Sequence, residues 1–242
     1  MNGSIKIGSV FGITLRLHVL LLVLFGVLVY QGVPPLILVT LFACVLLHEL
    51  GHSLVALAHG IRVVDITLWP LGGMARMSQI PESTRIEGLI AIAGPAVNLF
   101  LAATGFLAAA LTGWPLEWFV WVNLTMGLFN LLPAFPMDGG RLLRAFLGRK
   151  GDWLGATVSA VRIGRWFALL LGVLGLFWVP YVLALPLVGL FIWWSGVQEL
   201  AAVRARHARV EAVPEAPGFA PTEIEALERY RGPLSSWRSD ER

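Results

Sequence analysis

Cysteine is almost absent from these 242 residues: Cys44 is the only one, so no disulfide can form within the chain. Charge is also scarce. Asp, Glu, Lys and Arg make up 14% of the sequence while 57% is hydrophobic, and the mean hydropathy is +0.76. That balance excludes an ordinary soluble domain and specifies a polytopic membrane protein. No basic cluster is interleaved with exposed aromatics, so the formal net charge of +3 does not point to nucleic acid. The N-terminus lacks the short apolar region and small-residue cleavage site of a secretory signal, so its first apolar run is expected to stay as a span.

Hydropathy predicts an all-α polytopic fold of about six spans, near Leu15–Tyr30, Pro34–Ala58, Ile86–Leu111, Leu116–Leu132, Ala160–Val179 and Tyr181–Ala202. All 18 Lys and Arg fall in the N-terminal arm and its junction with span one, the second and fourth connections and their flanks, or the C-terminal tail. The connections around Gln31–Pro35, Thr112–Pro115 and Trp178–Tyr181 carry none, and Glu117 is the sole charge near that face. The positive-inside rule then places both termini in the cytoplasm of a multi-pass protein, with a prokaryotic plasma membrane expected. Residues 1–14 read as a short Gly/Ser-containing arm, followed by His18 at the interface. Residues 1–202 read as one transmembrane domain and 203–242 as a largely disordered cytoplasmic tail, with one short helix over Thr222–Tyr230 capped by Thr222.

Between spans two and three, Ile61–Trp69 has β-type partial alternation, Pro70-Leu71-Gly72-Gly73 can turn the chain, and Met74–Ser78 can return. The resulting hairpin, about 62–78, is apolar enough to dip into the membrane. It either offers an edge to an extended peptide or rests on lipid headgroups.

The chemistry sits in span two. His48-Glu49-Leu50-Gly51-His52 puts two imidazoles four residues apart on one helix face, the spacing that grips Zn²⁺, with Glu49 placed to take a proton from metal-bound water. An ionisable residue at mid-bilayer costs roughly 2.5–3.5 kcal/mol or more, so it is functional by default. One Zn²⁺ per chain is expected, and its third ligand must come from elsewhere. A metzincin-type extension would need His at 58 and Gly at 55, where Ala58 and Val55 stand. His59 lies beyond the span, and Glu82 and Glu87 read as near the cytoplasmic surface. Asp138 is preferred: it follows Pro133 and Pro136 and precedes Gly139-Gly140, and its alternative reading is a turn aspartate. Cys44, one turn before His48, is a small core residue or a neighbour of the metal. Asn98, in Gly94-Pro95-Ala96-Val97-Asn98 of span three, serves interhelical bonding or catalysis.

HELGH in one span, Asn130-x-x-Pro133-x-x-Pro136-x-Asp138-Gly139-Gly140 after a later one, and the Gly94–Asn98 motif between them resemble the site-2 proteases, zinc intramembrane metalloproteases. The resemblance covers about residues 5–200 and is nearest the archaeal and sporulation-type branch, without the CBS domains many members carry. It implies zinc on His48, His52 and Asp138, Glu49 as catalytic carboxylate, and Asn130 and Asn98 near the scissile bond. The implied activity is endopeptidase cleavage of a single-span membrane protein within the lipid bilayer. Two rivals are a prenyl-CaaX type of membrane zinc protease and a non-enzymatic metal-binding membrane protein or transporter.

Overall fold

The computed structural model describes residues 3–70, 72–78, 83–177 and 184–211. They form two compact units. One comprises Met1–Ile80 with Leu89–Asn130, the other Pro81–Gly88 with Leu131–Arg242.

The first unit opens with a sheet where the sequence reading expects only a short Gly/Ser-containing arm. β1 (Ser4–Val10) and β2 (Ile13–His18) form an antiparallel hairpin turned at Phe11-Gly12, both with positive φ. β3 (Val63–Trp69) pairs parallel with β2, and β4 (Gly72–Met77) pairs antiparallel with β3, giving the order β1-β2-β3-β4. The all-α expectation is thus corrected to helices plus a four-stranded sheet. Leu15–His18, expected as the start of span one, is strand. The physical reason is a period of two: Ile13 and Leu15 are buried while Thr14 and Arg16 alternate with them. Asp65 of β3, itself buried, ties neighbouring strands together, taking Arg76 of β4 by a short ion pair and Arg16 Nε of β2 at 3.8 Å.

His18 then ends the strand and caps the first helix. Its Nδ1 accepts from Leu20 N at 3.3 Å, and its ring lies 5.8 Å from that of Trp69. Helix α1 is Val19–Tyr30 and α2 is Pro35–Ala58, entered at Pro35, whose fixed φ and missing N–H suit a first helical position. At 24 residues α2 is about 36 Å long, enough for a bilayer core. Helix α3, Thr84–Thr112, contains Pro95, and α4 is Glu117–Asn130. Small residues let α2 and α3 approach: a Cβ on Gly51 would stand 2.9 Å from Val97 Cγ2 and 3.0 Å from Ala93 O.

The second unit carries α5 (Asp138–Leu147), a 3-10 turn (Gly148–Lys150), α6 (Trp153–Phe177) and α7 (Ala184–Glu211). Ala134, Met137, Ala168 and Ile192 form one buried cluster, and Phe135, Ala160 and Val161 another. Helix α7 runs past Val203 to Glu211, so the segment read as the start of a tail is helical there. The Thr222–Tyr230 helix, Glu82 and the 178–183 connection lie outside the described residues.

Among the described residues four helices are long and apolar enough to cross a membrane: Pro35–Ala58, Thr84–Thr112, Trp153–Gly175 and Leu185–Ala208. Helices α1 and α4, with 12 and 14 residues, fall short of the ~20 a full crossing needs. The expected fourth span also ends earlier, at Asn130 rather than Leu132, because turns lead into Pro133.

Glu87 does not behave as a surface carboxylate. It is 1% exposed, and its Oε1 accepts from Arg144 Nε at 3.1 Å and Nη2 at 2.5 Å. Arg144 also donates from Nη1 to Glu199 at 2.5 Å and stacks 5.1 Å from Phe135 and 4.9 Å from Trp153. Burial works against the guanidinium charge, but Glu87 first and Glu199 second more than offset it, and the pKa of Arg144 is raised. Arg144→Met leaves Glu87 uncompensated and is expected to destabilise the fold by about 3–5 kcal/mol. A large fall in the thermal unfolding midpoint in detergent, with little change for the exposed Arg149→Met, checks this.

Candidate metal centre

Helix α2 projects His48 and His52 from one face, and both side chains are 5% exposed. Their Nε2 atoms stand 3.1 Å apart with the rings edge to face. Each ring is held from behind through Nδ1. His52 Nδ1 lies 2.6 Å from the backbone oxygen of Ile90, which can only accept, so this nitrogen carries the proton. The Gly94 N–H also faces that atom, but at 3.4 Å, and the shorter contact sets the tautomer. His48 Nδ1 lies 2.5 Å from Asn98 Oδ1. With Nδ1 protonated, Nε2 of His52 presents a lone pair toward its neighbour, where it can serve as a metal ligand.

Space for that cation comes from α3. A Cβ built on Gly94 would collide with His52 Nε2 and Cε1 and would lie 2.7 Å from His48 Nε2. The Gly94-Pro95 pair, read from sequence as a point of close helix approach, is the floor of the histidine cradle.

Glu49 is half-buried, on the adjoining face of α2. The backbone of β4 lies against it: a Cβ on Gly73 would run into Glu49 Cγ and come within 2.9 Å of Cδ and Oε1. The edge strand and the carboxylate are therefore neighbours within the first unit.

Asn98 is fully buried, and both ends of its amide are used: Oδ1 toward His48, and Nδ2 donating to Asn123 Oδ1 at 2.9 Å. Asn130, the last residue of α4, donates from Nδ2 to Met126 O at 3.0 Å and is half-buried. Asn123 was not apparent from motif reading. Its only signal in sequence is a lone amide midway along the apolar α4. Cys44 is buried and accepts from Asn123 Nδ2 at 3.3 Å. His59 bonds back to Val55 O at 2.8 Å, as an exposed helix-end side chain.

Asp138, in the second unit, is 8% exposed and is the first residue of α5, not part of an irregular segment. The preceding turn is closed by Ala134 N donating to Leu132 O and Met137 N to Ala134 O. Gly139 and Gly140 let this turn fold onto the helix, since a Cβ on either would strike the backbone of Leu131–Leu132 or Ala134–Phe135. A carboxylate in a first helical turn also suits the positive end of the helix dipole.

The chain is similar to known proteins that are named zinc metalloproteases. The model of Peptidase family M50 matches residues 36–114 and 112–172. The zinc metalloprotease MJ0392 of Methanocaldococcus jannaschii is 37% identical over 211 residues, covering 82% of this chain and 61% of its own length. The putative zinc metalloprotease Rip3 of Mycobacterium tuberculosis is 34% identical, covering 87% of this chain and 60% of its own length. The chain thus spans about three-fifths of the length of these curated relatives. The solved structure of a site-2 protease from Methanocaldococcus jannaschii aligns with a TM-score of 0.61 at 35% identity, over 90% of this chain and 99% of that one. With four helices among the described residues long and apolar enough to span a bilayer, the chain is a membrane protein and belongs to Peptidase family M50.

Proposed function

We propose that the chain is a zinc-dependent intramembrane endopeptidase that cleaves the membrane segments of single-span proteins. The observation that carries this reading is the pair of imidazole Nε2 atoms 3.1 Å apart, in a cradle that a Cβ on Gly94 would fill. His48, His52 and Asp138 are all buried, and each offers one ligand atom of a kind zinc takes. Two neutral histidines and one carboxylate leave a fourth position for water, the pattern of catalytic rather than structural zinc.

Zinc held by His48, His52 and Asp138 would supply Lewis acidity, making water a better nucleophile at neutral pH and a peptide carbonyl a better electrophile. Glu49 accepts the proton and later delivers one to the leaving amine. The Asn130 side-chain amide donates a hydrogen bond to the developing oxyanion. A helical substrate must unwind before its carbonyls can be reached. The β4 edge, whose Gly73 backbone adjoins Glu49, is placed to pair with the unwound strand and hold it beside the carboxylate.

The finer topology belongs to the same proposal. Helices α1 and α4 serve as two short additional spans, both termini face the cytoplasm of a prokaryotic cell, and cleavage falls nearer the cytoplasmic end of the substrate segment. The orientation rests on the Lys and Arg asymmetry. The depth rests on the ten residues, about 15 Å, from His48 to Ala58 at the end of α2. A binding protein or transporter would not need Glu49, and a prenyl-CaaX type protease would cut a lipidated soluble peptide instead.

Glu49→Gln is expected to retain zinc and lose cleavage of a single-span reporter by ~10²–10⁴-fold, since only the proton-transfer group is removed. Metal analysis and reporter cleavage in proteoliposomes are the measurements, and normal turnover would exclude the enzyme reading. Asp138→Ala is expected to lose zinc together with activity, and full zinc occupancy would remove Asp138 from the ligand set. Gly94→Ala places a methyl in the cradle and is expected to weaken zinc at least about tenfold, as loss of first-neighbour geometry does. Gly88→Ala, whose Cβ would meet Ala145 Cβ at an ordinary 3.4 Å, serves as its control in chelator competition.

A further inference from the structure

We infer that Asn123 is a positioning residue for the metal centre: through Asn98 it imposes on His48 the tautomer that turns an Nε2 lone pair toward the metal. The inference rests on the zinc reading above and concerns how that site is prepared.

The argument is one of donor and acceptor polarity along a buried chain. It begins at the backbone oxygen of Phe119, which can only accept a hydrogen bond. Asn123 approaches that oxygen at 3.0 Å, so the atom facing it must be the amide nitrogen. The same nitrogen reaches Cys44 Sγ at 3.3 Å, a weak acceptor that the second N–H can use. Asn123 therefore turns its Oδ1 toward Asn98, 2.9 Å away, and Asn98 must answer with its nitrogen. The far end of the Asn98 amide is then an oxygen, 2.5 Å from His48 Nδ1. An oxygen there requires a proton on Nδ1, and a neutral imidazole protonated at Nδ1 has its lone pair on Nε2.

One main-chain carbonyl thereby decides which nitrogen of His48 is basic. Reversing either amide would set nitrogen against nitrogen or oxygen against oxygen where bulk solvent does not reach, since Asn98 and Asn123 are both 0% exposed. A mispaired buried polar group costs about 1–3 kcal/mol, so the polarity is strongly held. His52 reaches the same state in one step, through the Ile90 carbonyl. His48 cannot, because the amide of Asn98 stands where a carbonyl would be needed, and Asn98 alone would be free to flip. Asn123 removes that freedom. Outer-sphere partners of metal-bound histidines act in this way, fixing tautomer and ring orientation.

The full-length protein in detergent tests this. Asn123→Leu is expected to weaken Zn²⁺ by about 10–100-fold in chelator competition and to change the ligand-field spectrum of Co²⁺ bound in its place. Asn123→Asp, protonated in this apolar setting, keeps an acceptor for Asn98 and a donor for Phe119, and is expected to restore affinity and spectrum. Cys44→Ala leaves the polarity intact and is expected to bind zinc like the parent. Wild-type affinity and spectrum in Asn123→Leu would overturn the inference, as would equal losses in the Leu and Asp variants. Should the Leu variant not fold, ¹⁵N NMR of histidine-labelled, metal-free parent protein decides: a directly bonded proton on His48 Nδ1 supports the relay, and one on Nε2 refutes it. If the parent binds no zinc, it is the proposed function that fails. If the parent binds zinc and the substitutions do nothing, only the relay fails.

Discussion

Two imidazole Nε2 atoms meet across 3.1 Å inside the first unit, and the packing behind each ring fixes how they meet. Either imidazole could relax by rotating or by moving its proton to Nε2. Both routes are closed from behind, by the Ile90 carbonyl for His52 and by Asn98 for His48. What is left is a pair of ring nitrogens turned toward one another, a geometry that suits a shared cation. In apolar surroundings a cation held there would interact with both nitrogens more strongly than in water.

Glycine is the means by which the backbone makes room for this geometry. Gly51 admits the backbone of α3 at Ala93, Gly94 admits the two imidazoles, and Gly73 admits the side chain of Glu49. None of these three needs an unusual backbone angle. Each is small because another group occupies the volume where its Cβ would be. Gly139 and Gly140 do the same in the second unit, giving the 131–137 turn a surface to fold against and leaving Asp138 to begin α5. Polar side chains inside the apolar helices are handled in a matching way, by pairing with one another. Asn98 takes Asn123, and Glu87 takes Arg144, which also stacks on the rings of Phe135 and Trp153.

What was legible in the sequence follows from the range of each interaction. HELGH is local, so the His pair and Glu49 could be read from five residues. Helix α2 was placed within one residue at its start because Pro34-Pro35 cannot lie inside a helix. The sheet was hidden by the same measure that found the helices. A hydropathy window counts Ile13, Leu15 and Leu17 as apolar without noticing that Thr14, Arg16 and His18 alternate with them. Glu87 looked like a surface acid because its partner Arg144 is 57 positions away. Asn123 lay beyond any motif, since its meaning depends on a carbonyl one turn earlier and an amide 25 residues upstream.

The pairing of a fixed metal site with a glycine-bearing edge strand has a consequence for selectivity. At Gly73 the β4 strand presents only main chain, because Glu49 lies where a side chain would project. On the proposed reading, a peptide lying along β4 is gripped there through backbone hydrogen bonds, which are nearly blind to its sequence. Discrimination must then come from an earlier step, the cost of giving up helical hydrogen bonds in an apolar medium. Each unmade bond there costs several kcal/mol, so residues that weaken a helix, such as Gly, Pro and Asn, lower the barrier to pairing. A poly-Leu segment packs and hydrogen-bonds too well to be opened. On that reading, the scarcity of water around the helices makes substrate unwinding the selective step.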